Sequence, residues 1–357
     1  MSALQRFMTA LSATDADGAL ISSEINIRYL CGFAFTDGYL LILKDCSYLL
    51  TDPRYSEAAR EQVKDFQVVV PTDGMLKRIG ELCAEHSART VIIEDGSVTL
   101  SEFSRLKEAL PSVTLSTGAT EMLKELRQIK SEEELERIKQ AQRITDKAFE
   151  HILGFISPER TEAEVALELE MFMRKEGAEG VAFDTIAVSG RSSSLPHGVP
   201  SRRPLSQGFL TMDFGARLDG YCSDMTRTVV IGKADDDMKK IYYTVLSAQQ
   251  AALDAICEGM LCADADRIAR DVIKNAGFGN CFGHGLGHGV GLYIHESPSL
   301  SSRADSSSVI RRGNVITVEP GIYIEGKYGC RIEDMIAVGH NGTIINLTES
   351  PKELIEL

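Results

Sequence analysis

A chain of 357 residues is too long for one ordinary compact core, so two domains are expected; 43% hydrophobic and 25% charged content, with a mean hydropathy of -0.07, excludes a fibrous or disordered chain. A formal net charge of -14 without any basic stripe excludes nucleic acid as a partner. The first ten residues lack an apolar signal core and no run is long enough to span a bilayer, so no membrane association and a cytoplasmic location are expected.

Short apolar runs, Tyr39 to Leu43, Tyr48 to Leu50, Val68 to Val70 and Val91 to Ile93, alternate with helical patterns such as Ser56 to Val63 and Met75 to Ala84. That alternation predicts an α/β domain over residues 1–125. Ser131 followed by Glu134 forms a capping box that opens a long amphipathic helix reaching about Phe155 and starts a second domain, 126–357. A second capping box, Thr161 with Glu164, opens a helix that stops at Gly177, and a related pattern, Asp264 to Ala276, stops at Gly277. Ile156 and Ile256 precede these helices at the same offset, which suggests an internal duplication of a helix-then-strand unit. Asp235 to Asp237 read as a helix start. Closely spaced strands, Phe209 to Phe214, Ser223 to Ile231, Val315 to Glu319, Ile322 to Glu325 and Arg331 to Val338, favour antiparallel pairing. The second domain is thus expected to be α+β, a curved antiparallel sheet backed by helices. The eight cysteines have no CxxC pair and read as buried thiols in a reducing compartment.

Five potential metal ligands fall on these strands: Asp213 in TMDFG, Asp224 in CSDMTRT, His288 in GHGVG, Glu319 in VEPG and Glu333 in RIED. A carboxylate within an apolar run is costly unless paired or metal-bound, and no equal number of lysines or arginines lies nearby. Two divalent cations would balance four carboxylates and a neutral imidazole while leaving room for a bridging water. Oxygen-rich ligation without thiolate points to Mn²⁺ or a similar metal. In Gly283 to Gly291, glycine at every second position would put His284 and His288 on one side of an extended chain and free the other for close approach, and so many glycines argue against a helical zinc motif. Taken singly, each residue has a plainer reading. An Asp at a strand end is commonly a turn residue, Glu333 beside Arg331 and Asp334 could form a surface ion pair, and His197 in LPHGVP could simply pack in its loop.

The ordered series FDTIAVSG, LPHGVP, MDFGA, DMTRTV, GHGLGHGVGL, IHESP, VEPGIYI and RIED resembles the proline-specific branch of the pita-bread metallopeptidases, peptidase family M24, which comprises Xaa-Pro aminopeptidases and Xaa-Pro dipeptidases (prolidases). NIRYLCGF and TDPRYSEAA resemble the creatinase-like amino-terminal domain of the same enzymes. The resemblance implies a pita-bread catalytic domain with Asp213, Asp224, His288, Glu319 and Glu333 as ligands of two divalent ions, Asp224 and Glu333 bridging. Mn²⁺ is then the expected metal, with Co²⁺ or Zn²⁺ as alternatives. His197, His284, His295 and Arg331 match the substrate-contacting and supporting positions, and Glu319 is also the candidate proton shuttle. Tyr293, where an acidic residue is frequent, and Ser192 to Ser194, where Asn and Ala are common, depart from the pattern without touching a ligand. The implied activity is hydrolysis of the bond preceding proline in a peptide, by a homodimer. An aminopeptidase is favoured and a dipeptidase is the alternative. A methionine aminopeptidase would lack the first domain, whereas a metal-independent creatinase-like hydrolase or a catalytically silent binding module would have lost ligands that this chain keeps.

Overall fold

The structure is a computed structural model describing residues 1–357, and the chain divides into two units, Met1–Arg127 and Gln128–Leu357. The first contains, in chain order, α1 (Ala3–Ser12), β1 (Gly18–Ile21), α2 (Glu24–Cys31), β2 (Gly38–Leu43), β3 (Ser47–Thr51), α3 (Ser56–Gln62), β4 (Gln67–Val69), α4 (Met75–Glu85), β5 (Thr90–Ile93), α5 (Leu100–Ala109), β6 (Thr114–Ser116) and α6 (Ala119–Gln128). Six strands form one mixed sheet in the order β4-β3-β2-β1-β5-β6. Strand β2 pairs antiparallel with β1, which precedes it across α2, and with β3, which follows it through a short turn, whereas β1 with β5, β5 with β6 and β3 with β4 are parallel. Ile79 and Leu82 of α4 and Leu106 of α5 bury against Leu20, Leu41, Leu50 and Val91, which covers one face of the sheet. This is the α/β arrangement that the alternating runs predict; the strands β1 and β6 went unread.

The second unit continues with α7 (Glu132–Phe155), α8 (Glu162–Lys175), β7 (Gly180–Val181), β8 (Ile186–Ser189), β9 (Gly208–Phe214), β10 (Ala216–Leu218), β11 (Tyr221–Cys222), β12 (Met225–Ile231), α9 (Asp236–Ala255), α10 (Cys262–Ile273), β13 (Gly287–Gly289), β14 (Glu296–Leu300), β15 (Val315–Val318), β16 (Gly321–Ile324), β17 (Tyr328–Arg331), β18 (Asp334–Val338) and β19 (Ile344–Asn346). Both predicted capping boxes close: Ser131 accepts from the Glu134 N–H and Thr161 from that of Glu164, and each glutamate returns a bond to the cap backbone. Asp235 caps α9 by accepting from the Met238 N–H at 2.7 Å. The fourth helix differs from expectation. It starts at Cys262 after Leu261, with no side-chain cap, and ends at Ile273 before a looser turn through Gly277.

Two helix pairs back two antiparallel sheets. Phe149, Val165 and Leu169 pack under Leu210, Met212 and Val229 of the β12-β9-β8 sheet; Val245, Ala252 and Ala269 pack under Ile316, Val318 and Ile336 of the β14-β13-β15-β18-β19 sheet. The residues closing α7 and α9 have nearly the same backbone, Ile156 at φ -61°, ψ 126° and Ile256 at φ -59°, ψ 129°. Gly177 and Gly277 share positive φ, so the repeated sequence pattern is matched by repeated geometry. No helix is long and apolar enough to cross a membrane.

Candidate metal centre and active site

The first half-unit delivers two carboxylates. On β9, Asp213 pairs across the ladder with Thr226 of β12, and Asp224 stands one residue before β12 begins. The second half-unit delivers the rest. His288 is the middle residue of β13, Glu319 follows the last residue of β15, and Glu333 lies in a break between β17 and β18. The run Arg331 to Val338 is therefore two strands rather than one, and the interruption is what frees the Glu333 side chain. Its backbone N–H donates to Thr226 O at 3.1 Å, and its carboxylate accepts from the Thr226 hydroxyl at 2.7 Å. Glu319 is fixed by its N–H to Leu286 O at 2.8 Å.

Glycine in the predicted pattern makes room for backbone. A Cβ on Gly287 would lie 2.0 Å from Thr317 O, and one on Gly289 would lie 2.3 Å from Ser297 O, so only glycine lets the neighbouring strands close on β13. The extended stretch is shorter than the alternation suggests, since only Gly287 to Gly289 forms a strand. His284 and His288 nevertheless face the same cavity.

That cavity, about 600 Å³, is lined by all nine predicted site residues: His197, Asp213, Asp224, His284, His288, His295, Glu319, Arg331 and Glu333. One ligand atom each from Asp224, His288 and Glu333 lies within 4.8 Å of the other two. His288 Nε2 is 3.6 Å from Asp224 Oδ2 and 3.5 Å from Glu319 Oε1. Because Gly289 O can only accept, His288 Nδ1, 3.1 Å away, carries the hydrogen, and the Nε2 lone pair is left facing the carboxylates. Burial lowers the His288 pKa to about 4, which keeps the ring a neutral ligand. His197 and His295 are exposed at the cavity, the latter with its ring centroid 4.4 Å from that of His288 and edge-on to it.

The carboxylates crowd one another. Burial, followed by the charges of Glu333, Asp213 and Glu319, pushes Asp224 well above the usual range. Burial with the charges of Glu319 and Asp213 does the same to Glu333, and burial pushes Glu319 up to about 8 despite the opposing Arg331. The single guanidinium in the cavity is bound to protein on every side: Arg331 reaches Asp213 Oδ2 at 2.6 Å, the Thr226 hydroxyl at 2.9 Å, the Tyr323 hydroxyl at 2.6 Å and Pro196 O at 3.3 Å. The other Asp213 oxygen, Oδ1, is buried and has no hydrogen-bond partner. An orphaned carboxylate oxygen, a neutral imidazole presenting its lone pair and a surplus of acidic groups over cations together fit divalent metal ions. The plainer reading of Glu333 as a surface ion pair fails, because it is 1% exposed and Arg331 bonds Asp213 instead.

Sequence reasoning missed Tyr323. Its hydroxyl accepts from Arg331 and lies 3.0 Å from His284 Nε2, while His284 Nδ1 is held by Gly285 O at 2.8 Å. Burial lowers the His284 pKa to about 4, so the ring is neutral: Nδ1 donates to Gly285 and Nε2 accepts from Tyr323. The signal was present in β16, where Ile322 and Ile324 alternate with Tyr323 and point it away from their side of the strand.

Residues 136–340 match metallopeptidase family M24, and residues 3–129 match the creatinase/prolidase N-terminal domain. The chain is 36% identical to the Xaa-Pro dipeptidase of Pyrococcus furiosus over 99% of each chain. Among solved structures, an Xaa-Pro dipeptidase from Bacillus anthracis superposes with a TM-score of 0.95 at 41% identity, covering 99% of both chains. An X-Pro aminopeptidase from Thermotoga maritima superposes with a TM-score of 0.91 at 37% identity, covering 98% of this chain and all of the other.

Proposed function

The chain belongs to metallopeptidase family M24, with the pita-bread fold of its proline-specific peptidases, and from that premise we propose that it hydrolyses the Xaa-Pro bond of short peptides, acting on Xaa-Pro dipeptides. The observation that carries this reading is the convergence of Asp224, His288 and Glu333, with Glu319 beside them, around a cavity that also holds the unpartnered Asp213 oxygen. The weight given to a dipeptide substrate comes from the Xaa-Pro dipeptidases of Pyrococcus furiosus and Bacillus anthracis, to which the chain is similar over nearly its whole length. The second reading, an Xaa-Pro aminopeptidase that accepts longer peptides, draws on similarity to the Thermotoga maritima enzyme.

Asp213, Asp224, His288, Glu319 and Glu333 would hold two divalent ions, Mn²⁺ being the best match to oxygen-rich ligands, with Co²⁺ and Zn²⁺ as alternatives. Such ions supply Lewis acidity and a water acidic enough to act as a nucleophile near neutral pH. Glu319 is the group placed to pass a proton between the attacking water and the departing proline nitrogen. His295 and His197, both lining the cavity, are the groups that would present ring N–H donors to the substrate backbone. His284, with both nitrogens engaged, forms a fixed wall together with Tyr323 and Arg331. Arg331 keeps one Asp213 oxygen oriented and leaves the other for the metal. Proline suits such a site because its nitrogen carries no N–H to satisfy after binding and its ring fixes φ. A homodimer in a reducing, cytoplasmic compartment completes the proposal, the latter supported by eight free cysteines.

Purified Asp224→Ala and His288→Ala variants should lose detectable hydrolysis of an Xaa-Pro dipeptide while retaining the circular dichroism of the parent. Full activity in either metal-replete variant would refute the ligand assignment. Comparing an Xaa-Pro dipeptide with an Xaa-Pro-Yaa tripeptide, with each metal supplied in turn, decides between the two readings: tripeptide cleavage at a rate equal to or above that of the dipeptide selects the aminopeptidase.

A further inference from the structure

One buried ion pair beside the cavity has no part in the chemistry above. Lys130, the residue before the cap of α7, places Nζ 3.2 Å from Glu296 Oε2, with the side chains only 2% and 3% exposed. Glu296 directly follows His295, and its other oxygen accepts from the Tyr293 N–H at 3.1 Å, so one carboxylate closes the turn that contains Ile294 and His295. Both of those residues line the cavity. The turn is also tied from behind: Gly291 N–H donates to Tyr293 O at 3.0 Å, and Gly291 O accepts from the Cys222 N–H at 2.8 Å, two residues before Asp224. A Cβ on Gly291 would lie 2.6 Å from Glu296 Oε2, so the carboxylate sits directly on the backbone of the turn.

The His295 ring is exposed, so burial does not fix it; beyond its edge-on contact with His288, its position follows from the turn that carries it. A buried ion pair is an uneconomical way to gain stability, because desolvating both charges offsets most of their attraction, but it holds two groups in one geometry. We propose that Lys130 and Glu296 are positioning residues that act through the Tyr293 to Glu296 turn to aim the His295 ring into the cavity. This rests on the reading of His295 as a substrate-contacting residue. In that role a ring displaced by about 1 Å weakens transition-state contacts more than ground-state binding.

Removing Lys130 alone would strand a buried carboxylate and endanger folding, so the informative variant neutralises both partners: Lys130→Met with Glu296→Gln, which keeps an acceptor for the Tyr293 N–H. Against an Xaa-Pro dipeptide its kcat should fall about thirtyfold with KM changed less than about threefold. In a His295→Ala background the same pair of substitutions should cost less than about twofold, because positioning that acts through a missing ring is lost only once. Lys130→Arg should keep most of the parental kcat. A second readout needs no substrate: in ¹³C-histidine spectra, the His295 ring resonance, identified by its loss in His295→Ala, should broaden in the neutralised variant, while that of His151, held on α7 by Glu168 at 2.7 Å and stacked on Phe172, is unchanged. An unchanged His295 resonance, or an equal loss of kcat in the His295→Ala background, overturns the clamp. If the resonance responds as expected but the parent protein cleaves no Xaa-Pro peptide, the clamp stands and only the proposed activity fails.

Discussion

Glu333 and Asp334 are adjacent in the chain and equally buried, yet they occupy opposite electrostatic surroundings. Asp334 is clamped by Arg227 Nη2 at 2.8 Å, Lys352 Nζ at 2.7 Å and Asn346 Nδ2 at 2.9 Å, and despite burial these partners hold its carboxyl below the usual range. Glu333 faces the cavity with a single hydroxyl on its carboxylate and other carboxylates nearby, and it is driven the other way. The cluster around Asp334 is self-sufficient: Arg227 also reaches Glu333 O, Ser350 O and Pro351 O, tying β12 to the chain beyond β19. The cavity is charge-deficient by construction. A buried acid satisfied by protein cations belongs to the scaffold, whereas one left with like charges waits for a cation from outside.

The contrast is broken most directly by crossing it. Glu333→Gln should lower Xaa-Pro hydrolysis by a thousandfold or more, roughly the scale of losing an essential group, while the metal-free protein unfolds in urea at the same or a higher concentration, since one of several repelling charges is gone. Asp334→Asn should do the reverse. Stranding Arg227 in the interior costs about 3–5 kcal/mol of unfolding free energy, but the folded fraction keeps a kcat within about threefold of the parent. Equal stability losses in the two variants would erase the distinction between cavity and clamp.

The next effect is smaller and depends on pH. Glu319, ordinarily near 4.5, is pushed up to about 8 in the metal-free cavity, and Asp224 and Glu333 move the same way. A carboxyl that binds its proton more tightly when folded stabilises the fold fully below its unfolded value and loses that contribution as pH rises through its folded value. Chelator-treated protein should therefore melt at progressively lower temperature between pH 6.5 and pH 8, above the range in which the lowered pKa values of His284 and His288 act in the opposite direction. Divalent metal should abolish this trend, because bound cations displace those protons, and at a hundredfold excess over Kd it should add about 2.7 kcal/mol of stability. Parallel melting curves with and without metal would contradict a cation-seeking cavity.

How much of this the sequence disclosed follows the same division. Capping boxes at Ser131 and Thr161 were legible because their partners lie three residues away and the bond is local. The five acidic and imidazole groups were legible because charge inside an apolar run needs a reason wherever the strand lies. Which buried acid meets a cation was not legible: Arg227 and Asp334 are 107 residues apart, Lys130 and Glu296 are 166 apart, and only the packed sheets bring them together. The break at Ile332 and Glu333 was hidden for the same reason, since the local sequence RIEDMIAV does not show which strands its two halves pair with, β17 with β16 and β18 with β15 and β19.

Tyr323 gives the finest test of the boundary between the two environments, because it is a neutral group on the cavity side that does a scaffold's work. Its hydroxyl joins Arg331, which orients Asp213, to His284 Nε2, and burial pushes its own pKa up to about 12, so it stays protonated throughout the working range. Tyr323→Phe keeps the ring and removes only that link, leaving one Arg331 N–H and the His284 lone pair without their shared partner. The expected cost is about 1–2 kcal/mol of stability and a kcat lowered about five- to tenfold, since Asp213 still has its direct bond to Arg331. If the hydroxyl merely fills space, kcat will match the parent and only the unfolding midpoint will move. A loss of kcat approaching that of Glu333→Gln would instead place Tyr323 among the groups that touch the reacting atoms.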